Sequence, residues 1–212
     1  MDAPAGGSGG NTIDHVRAYY DRSASQYDGW LRGFDKVMLG AGRSRMCSRA
    51  RGLTLEVAVG TGANLRYYPR DTELSGVDLS ERMLELARER AKQLGRDVDL
   101  RVGDAQNLAF PDGRFDTVVA TLLLSTVPDP QRAMHEMYRV MNQGGRLLLL
   151  DMARSPFGAV RWVEQLLEPL SARSRFTLMR DPLDYLNGLG FTVEHTDHFR
   201  FGVIEEVVAR KN

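Results

Sequence analysis

The residues of this chain best suited to chemistry stand at the ends of three short apolar runs. The first run ends Glu56-Val57-Ala58-Val59-Gly60-Thr61-Gly62-Ala63-Asn64. Glycines between a strand and a helix let the backbone approach a ligand with no Cβ in the way. The N-terminus of a helix behind them would favour polar or anionic groups. The second run closes on Asp78, within Gly76-Val77-Asp78-Leu79-Ser80 and eighteen positions after Gly60. An acidic residue there can hold both hydroxyls of a ribose. The third closes on Asp104 in Val102-Gly103-Asp104-Ala105, where a carboxylate can accept from the amino group of an adenine. Each feature has a plainer reading: a tight βα turn for the glycines, a helix cap or surface aspartate for the acids. Three in succession mark the edge where open α/β sheets bind ligands.

The surroundings narrow the ligand. Gly60-x-Gly62 is followed by Asn64 and Leu65, so the third glycine of a dinucleotide fingerprint is missing, and there is no Walker sequence. Four histidines are available as bases: His15, His135, His195 and His198. His198 and Arg200 fall in a C-terminal hairpin turn that would lie on the ligand edge if the sixth strand runs parallel to the first five. His198 is therefore the first candidate for a catalytic base and His15, on an N-terminal helix, the second. Cys47 is the lone cysteine, so no intramolecular disulfide or CxxC metal site is available, and a reduced, cytoplasmic setting fits. No role for Cys47 is evident.

The elements that must position these groups are legible as pattern. The chain has 212 residues with 28 basic and 28 acidic side chains, and the neutral balance disfavours a nucleic-acid partner. Of the basic residues 25 are arginine and 3 are lysine. A Gly-rich leader (1–11) reads as disordered. Helices follow over Thr12–Ser25 and about Gly29–Arg51, interrupted by glycines, forming an N-terminal cap over 12–52. From Leu53 strands alternate with helices: strands over Leu53–Val59, Glu73–Asp78, Asp97–Val102, Arg114–Thr121 and Arg146–Met152, helices over Ser80–Leu94 and Asp129–Met141, and a turn at Asn142–Gly145. This alternation predicts a parallel sheet covered by helices on both faces. An amphipathic stretch at Pro156–Leu170 and a short helix at Asp181–Leu189 precede two strands, Phe191–Thr196 and Val203–Ala209, joined by a tight turn and therefore antiparallel. No run reaches the length of a membrane span.

These residues together resemble the class I S-adenosylmethionine-dependent methyltransferases, in the small bacterial branch that includes ubiquinone/menaquinone and phosphatidylethanolamine N-methyltransferases. The glycine motif, Asp78 in V-D-L-S, and Gly103-Asp104-Ala105-Gln106-Asn107-Leu108 match. So do Arg139-Val140-Met141-Asn142-Gln143-Gly144-Gly145 and the N-terminal Tyr20-Asp21-Arg22-Ser23-Ala24-Ser25-Gln26-Tyr27-Asp28. Ala58 replaces the motif's first glycine, Asn142-Gln143 replaces a Lys/Arg-Pro pair, and Asp151-Met152 stands where the branch often has Glu-His.

The resemblance implies an α/β fold, a Rossmann-like seven-stranded sheet of five parallel strands plus a C-terminal antiparallel hairpin. The methyltransferase domain would span 53–212, with a substrate-covering insertion at about 154–180. It implies S-adenosylmethionine as cofactor and S-adenosylhomocysteine as product. The cofactor residues would be Glu56, Ala58, Gly60, Thr61 and Gly62 in the first loop, and Asp78 at the ribose with Leu79 and Met83 after it. Gly103, Asp104, Ala105 and Gln106 would surround the adenine, Thr121 and Leu122 would lie beneath the methionine moiety, and Tyr20 and Tyr27 would close over it. The two covering segments mix aromatics with arginines, which suits an amphiphilic methyl acceptor: a natural-product intermediate, a quinone-like ring or a lipid head group. Its contacts would include Tyr19, Trp30, Phe34, Arg161, Arg175 and Arg200, with peripheral lipid contact through the basic face, and the protein would be a monomer or homodimer. The rival readings are a methyltransferase-like protein that binds the cofactor but catalyses a non-methylating reaction, a non-catalytic subunit, and a methyltransferase acting on RNA or protein.

Overall fold

The computed structural model describes residues 9–158, 160–162 and 180–212, with side chains from residue 13. Arg173, Arg175, Phe176, Met179 and most of the expected amphipathic stretch, like positions 1–8 of the leader, lie outside the described residues.

Seven strands form one sheet in the order β3-β2-β1-β4-β5-β7-β6. They are β1 (Leu53–Val57), β2 (Glu73–Asp78), β3 (Val98–Val102), β4 (Phe115–Thr121), β5 (Met141–Met152), β6 (Phe191–Phe199) and β7 (Ile204–Lys211). The first five run parallel, and β7 pairs antiparallel with both β5 and β6. Two reversals bring β6 back to the direction of the first five, which meets the condition for the β6–β7 turn to stand on the carboxyl edge.

Side chains alternate between faces along each strand, and the sheet uses both. Val118, Leu147, Leu149 and Val207 join Phe115, Met134 and Met137 in one core, while Val119, Leu148, Leu150 and Val208 join Met46, Leu65 and Leu84 in the other. The coverings are α4 (Pro130–Val140) and the short α5 (Pro182–Leu186) on the first side, and α2 (Gly42–Cys47) and α3 (Glu81–Gln93) on the second. Cys47 is fully buried in the second core, where burial pushes its thiol pKa up and leaves it an inert packing group.

Several local expectations change. The N-terminal helix α1 is one continuous element, Gly9–Phe34, in place of a helix from Thr12 that breaks before Gly29. Residues 9–11 of the expected leader are thus helical. The chain leaves α1 through a π turn at Asp35–Leu39 that ends on Gly40 with φ of 53°. Asn142–Gly145 is an irregularity within β5: the β4 register steps from Phe115↔Met141 to Thr117↔Arg146. No α-helix follows the Gly60 turn. A single 3-10 turn, Leu65–Tyr67, stands there, so the anion-attracting helix terminus expected behind the glycines is absent.

Candidate functional site

The carboxyl ends of β1 to β4 and one face of α1 enclose a cavity of about 720 Å³, its mouth included. That is a size suited to a nucleoside-sized ligand. Thirteen residues expected at the cofactor line it: Tyr20, Tyr27, Ala58, Gly60, Asp78, Leu79, Met83, Gly103, Asp104, Ala105, Gln106, Thr121 and Leu122. Glu56, Thr61 and Gly62 do not. Among the described residues Asp78 and Asp104 are the only charged groups in the lining.

The loop around Gly60 is built by the acid beside it. Asp78 Oδ2 accepts the Gly60 N–H at 2.8 Å and its Oδ1 accepts the Ser80 N–H at 2.9 Å. Burial raises the Asp78 carboxyl to about 6, while the amides of Ser80, Gly60 and Leu79 pull the other way. Gly60 has φ of 56°, and a Cβ there would meet nothing within 4 Å, so its bare backbone faces the cavity. Gly62 works differently: a Cβ there would come within 2.7 Å of Leu65 and 3.3 Å of the Ala87 backbone, so this glycine permits packing and not ligand approach. Ala58 holds φ of 59°, the left-handed conformation that a glycine adopts without cost. Its extra methyl group therefore matters less than its backbone.

Glu56 lies behind the loop, 2 % exposed. Its carboxylate accepts from Asn64 Nδ2 at 2.7 Å and from the Tyr68 hydroxyl at 2.9 Å. Desolvation raises it to about 7 against those bonds. Asn64 also donates to Thr121 Oγ1 at 2.9 Å and accepts from Arg43 at 3.0 Å. Arg43 completes the chain with a two-pronged bond to Asp35, at 2.8 and 3.0 Å. Glu56 thus holds the floor of the site through Asn64, without touching the cavity.

On the adenine side Asp104 Oδ1 accepts the Gln106 N–H at 2.9 Å. The Gln106 side chain donates back to Asp104 at 3.0 Å and accepts the Asp129 N–H at 3.0 Å. The two bonds to Oδ1 fix the Asp104 carboxylate at the cavity wall.

The lid is α1, and its motif divides by face. Tyr20 and Tyr27 are seven residues apart, two helical turns, and both face the cavity. Their rings meet edge to face at 6.1 Å. Burial pushes the Tyr27 phenol up to about 12 and Tyr20 further, so both are neutral. The neighbouring aspartates fasten the helix. Ser80 Oγ donates to Asp21 at 2.5 Å, Thr61 Oγ1 donates to Asp28 at 2.6 Å, and Arg90 pairs with Asp28. This is the actual work of Thr61. The role of Asp21 and Asp28 was missed in the sequence, although the seven-residue repeat of Tyr-Asp held the signal. Ile13 and Val16, at helical spacing before Tyr20, also line the cavity.

The candidate base and acceptor contacts fare less well. His198 lies outside the cavity, on edge strand β6, with Nε2 3.6 Å from Glu205. Its register partner on β7 is that same Glu205, whose carboxyl is raised to about 7 by desolvation and by Asp181. The β6–β7 turn is on the ligand edge, but two strands separate β6 from β4. His15 instead lines a second cavity that shares Val16, Thr126, Val127 and Pro128 with the first. Tyr19 sits edge-on to Tyr20 and is 39 % exposed. Trp30 stacks on Phe34 at 5.1 Å, and neither lines either of these two cavities. Arg161 is bonded to the Pro156 carbonyl, and Arg200 is exposed in the hairpin turn with φ of 52°. Arg43, Arg45 and Arg49 of the cap hold Asp35 and the buried Glu206, so they serve the fold.

A sheet of this order, with an acid- and glycine-lined cavity at its carboxyl edge under a tyrosine-faced helix, has the architecture of the class I methyltransferases. The sequence supports the same class. Residues 55–149 match the Methyltransferase domain family. The chain is 42 % identical over 118 residues to phosphatidylethanolamine N-methyltransferase of Cereibacter sphaeroides, across 55 % of this chain and 58 % of that protein. It is 33 % identical to demethylmenaquinone methyltransferase of Thermotoga maritima, across 68 % of this chain and 64 % of that protein. With demethylmenaquinone methyltransferase of Renibacterium salmoninarum the identity is 31 %, across 75 % and 68 %. The chain thus spans about half to two thirds of the length of these relatives. Among solved structures, an S-adenosylmethionine-dependent methyltransferase from Thermotoga maritima aligns with a TM-score of 0.71 at 23 % identity, across 93 % of this chain and all of that one. The SpnF cyclase aligns with a TM-score of 0.66 at 20 % identity, across 82 % and 79 %. At such identities the likeness is one of fold. The chain belongs to the S-adenosylmethionine-dependent methyltransferase family.

Proposed function

We propose that this protein transfers a methyl group from S-adenosylmethionine to an amphiphilic small molecule. One observation carries the reading: Asp78, Asp104, Tyr20 and Tyr27, from three separate elements, surround a single cavity. Asp78 would hold the ribose, Asp104 the adenine amino group, and Ala105 and Gln106 the flanks of the ring. Thr121 and Leu122 would lie under the methionine part, with the backbone of Gly60 alongside. The acidic lining also suits a ligand that carries positive charge at its sulfonium and amino groups.

Bound S-adenosylmethionine supplies a methyl group already activated for displacement. The residues of this chain therefore need only orient the acceptor and exclude water, which can contribute several kcal/mol. Tyr20 and Tyr27, neutral and largely buried, exclude water above the site. His15 takes the place of His198 as the candidate to receive the acceptor's proton, as the one imidazole lining either cavity among the described residues. Exposed Phe157, Trp162 and Phe201, beside Arg154, Arg161 and Arg200, support contact with a lipid surface. Among the described residues no helix is long and apolar enough to cross a membrane. The reading places the protein in the cytoplasm, as a monomer or homodimer with a small-molecule partner.

Titration calorimetry with S-adenosylmethionine and S-adenosylhomocysteine tests the core of the reading. Both should bind the wild-type protein and bind Asp78→Ala far more weakly. Absence of binding by the wild type overturns it. Incubation of labelled cofactor with cell extract, followed by identification of the labelled product, then names the acceptor.

A further inference from the structure

The second cavity, between α1 and the segment that joins β4 to α4, opens beside the first. It is lined by His15, Val16, Ser125, Thr126, Val127, Pro128 and Arg180. Its charge is the reverse of its neighbour's: among the described residues its ionisable linings are an arginine and a histidine, with no acid. Arg180 is held in place from one side only. One guanidinium nitrogen donates to the carbonyls of Leu124 and Val127, the latter at 2.6 Å. Its Nε and its other amino group make no hydrogen bond and no ion pair among the described residues. Among the described residues Arg180 makes no ion pair with the adjacent Asp181, whose Oδ1 instead accepts the Leu183 N–H at 3.1 Å. The two hydroxyls of the cavity donate to their own loop, Ser125 to Leu122 O at 3.4 Å and Thr126 to Leu123 O at 3.0 Å. Arg180 therefore keeps unspent donors in a fork that matches the oxygens of a phosphate or carboxylate. Val16, Val127 and Pro128 provide apolar wall beside it.

We infer that this second cavity seats the methyl acceptor and that Arg180 binds an anionic phosphate or carboxylate group on an otherwise apolar acceptor. The inference rests on the methyltransferase reading above. The division of charge has a physical consequence. The cationic cofactor and the anionic acceptor are each drawn to their own half of one cleft, and each is repelled from the other's half. Arg180 is a positioning residue: its bonds to Leu124 and Val127 couple the anion to the loop that separates the two cavities.

The test loads the full chain with S-adenosylhomocysteine and titrates octyl phosphate, octyltrimethylammonium or inorganic phosphate below micellar concentrations. Octyl phosphate should bind at least about tenfold more tightly than either of the others. Arg180→Gln should lose at least that factor and Arg180→Lys should recover part of it, with S-adenosylhomocysteine affinity unchanged in both. Equal binding of the two amphiphiles, or full binding by Arg180→Gln, overturns the inference. Inorganic phosphate binding as tightly as octyl phosphate overturns the apolar part. If Arg180→Gln fails to fold, the wild-type selectivity and the lysine variant still decide. Failure of the wild type to bind S-adenosylhomocysteine would instead overturn the methyltransferase reading.

Discussion

The two halves of the cleft are built by different means. The half proposed for the cofactor, at the ends of β1, β2 and β3, is held by short loops whose polar groups bond within a few residues or across one strand: Asp78 to Gly60 and Ser80, Asp104 to Gln106. The half proposed for the acceptor depends on partners far apart in the chain. Arg180 reaches back 56 residues to Leu124, and His15 reaches the cleft only because α1 folds across it. Acidic groups dominate the first half and basic groups the second. A preformed half suits a cofactor common to a whole family. A half assembled from distant segments can change its acceptor without disturbing the first.

The largest effect should follow from breaking the first half at its centre. Asp78→Ala removes an acceptor for two backbone amides as well as the ribose contact. At about 1.5–3 kcal/mol for a hydrogen bond to a charged group, cofactor affinity should fall by about 10- to 100-fold in calorimetry. An unchanged dissociation constant would break the comparison.

Next comes the fastening of α1. Asp28→Asn leaves Tyr27 in place but loses the ion pair with Arg90 and weakens the bond from Thr61. The dissociation rate of S-adenosylhomocysteine should rise by about three- to tenfold in stopped-flow fluorescence. Asp14→Asn, which loses only a surface pair with Arg17, should leave that rate unchanged.

A smaller effect concerns stability and pH. Glu56 is raised from 4.5 to about 7 by burial. A carboxyl whose folded pKa lies above its unfolded one stabilises the fold fully below the unfolded value, and that contribution is lost as pH rises through the folded value. Between about pH 4.5 and 7 the unfolded chain releases this proton while the folded chain keeps it. Glu56→Gln keeps the shape without the ionisation. Its melting temperature relative to wild type should be higher at pH 8 than at pH 5, by about 2–6 °C. An identical difference at both pH values would show that Glu56 does not titrate in this range.

The smallest change is at Ala58. Glycine adopts its φ of 59° without strain but has more freedom to lose on folding. These terms nearly offset, so Ala58→Gly should move the melting temperature by no more than about 2 °C and leave cofactor affinity unaltered. A loss of affinity would show that the alanine methyl itself contacts the ligand.

Legibility in the sequence follows the same division. Gly60, Asp78 and Asp104 were readable because each stands at the end of its own strand, and in a parallel sheet those ends share one edge. Glu56 and Thr61 belonged to the right motif, but motif membership does not say which way a side chain points. Glu56 turns to Asn64 beneath the loop and Thr61 turns to Asp28 on the lid. The antiparallel pairing of β6 and β7 was also readable, from the short turn between them, but the direction of β6 relative to the first five strands came only with the pairing of β7 to β5. The place of His198 was not readable, because sheet order sets its distance from the site and β7 lies between β6 and β5.

The sequence by itself determined the fold class, the parallel run of the first five strands, the antiparallel final hairpin and the acids at the carboxyl edge, because period-two and helical patterning, turn glycines and strand-end residues are local signals. Only the tertiary structure decided which histidine lines a cavity, that the cap arginines serve the fold, that α1 is fastened by Asp21 and Asp28, and that Arg180 lines the second cavity. Those outcomes depend on register, on helix continuity and on which distant segments a compact core brings within hydrogen-bond distance.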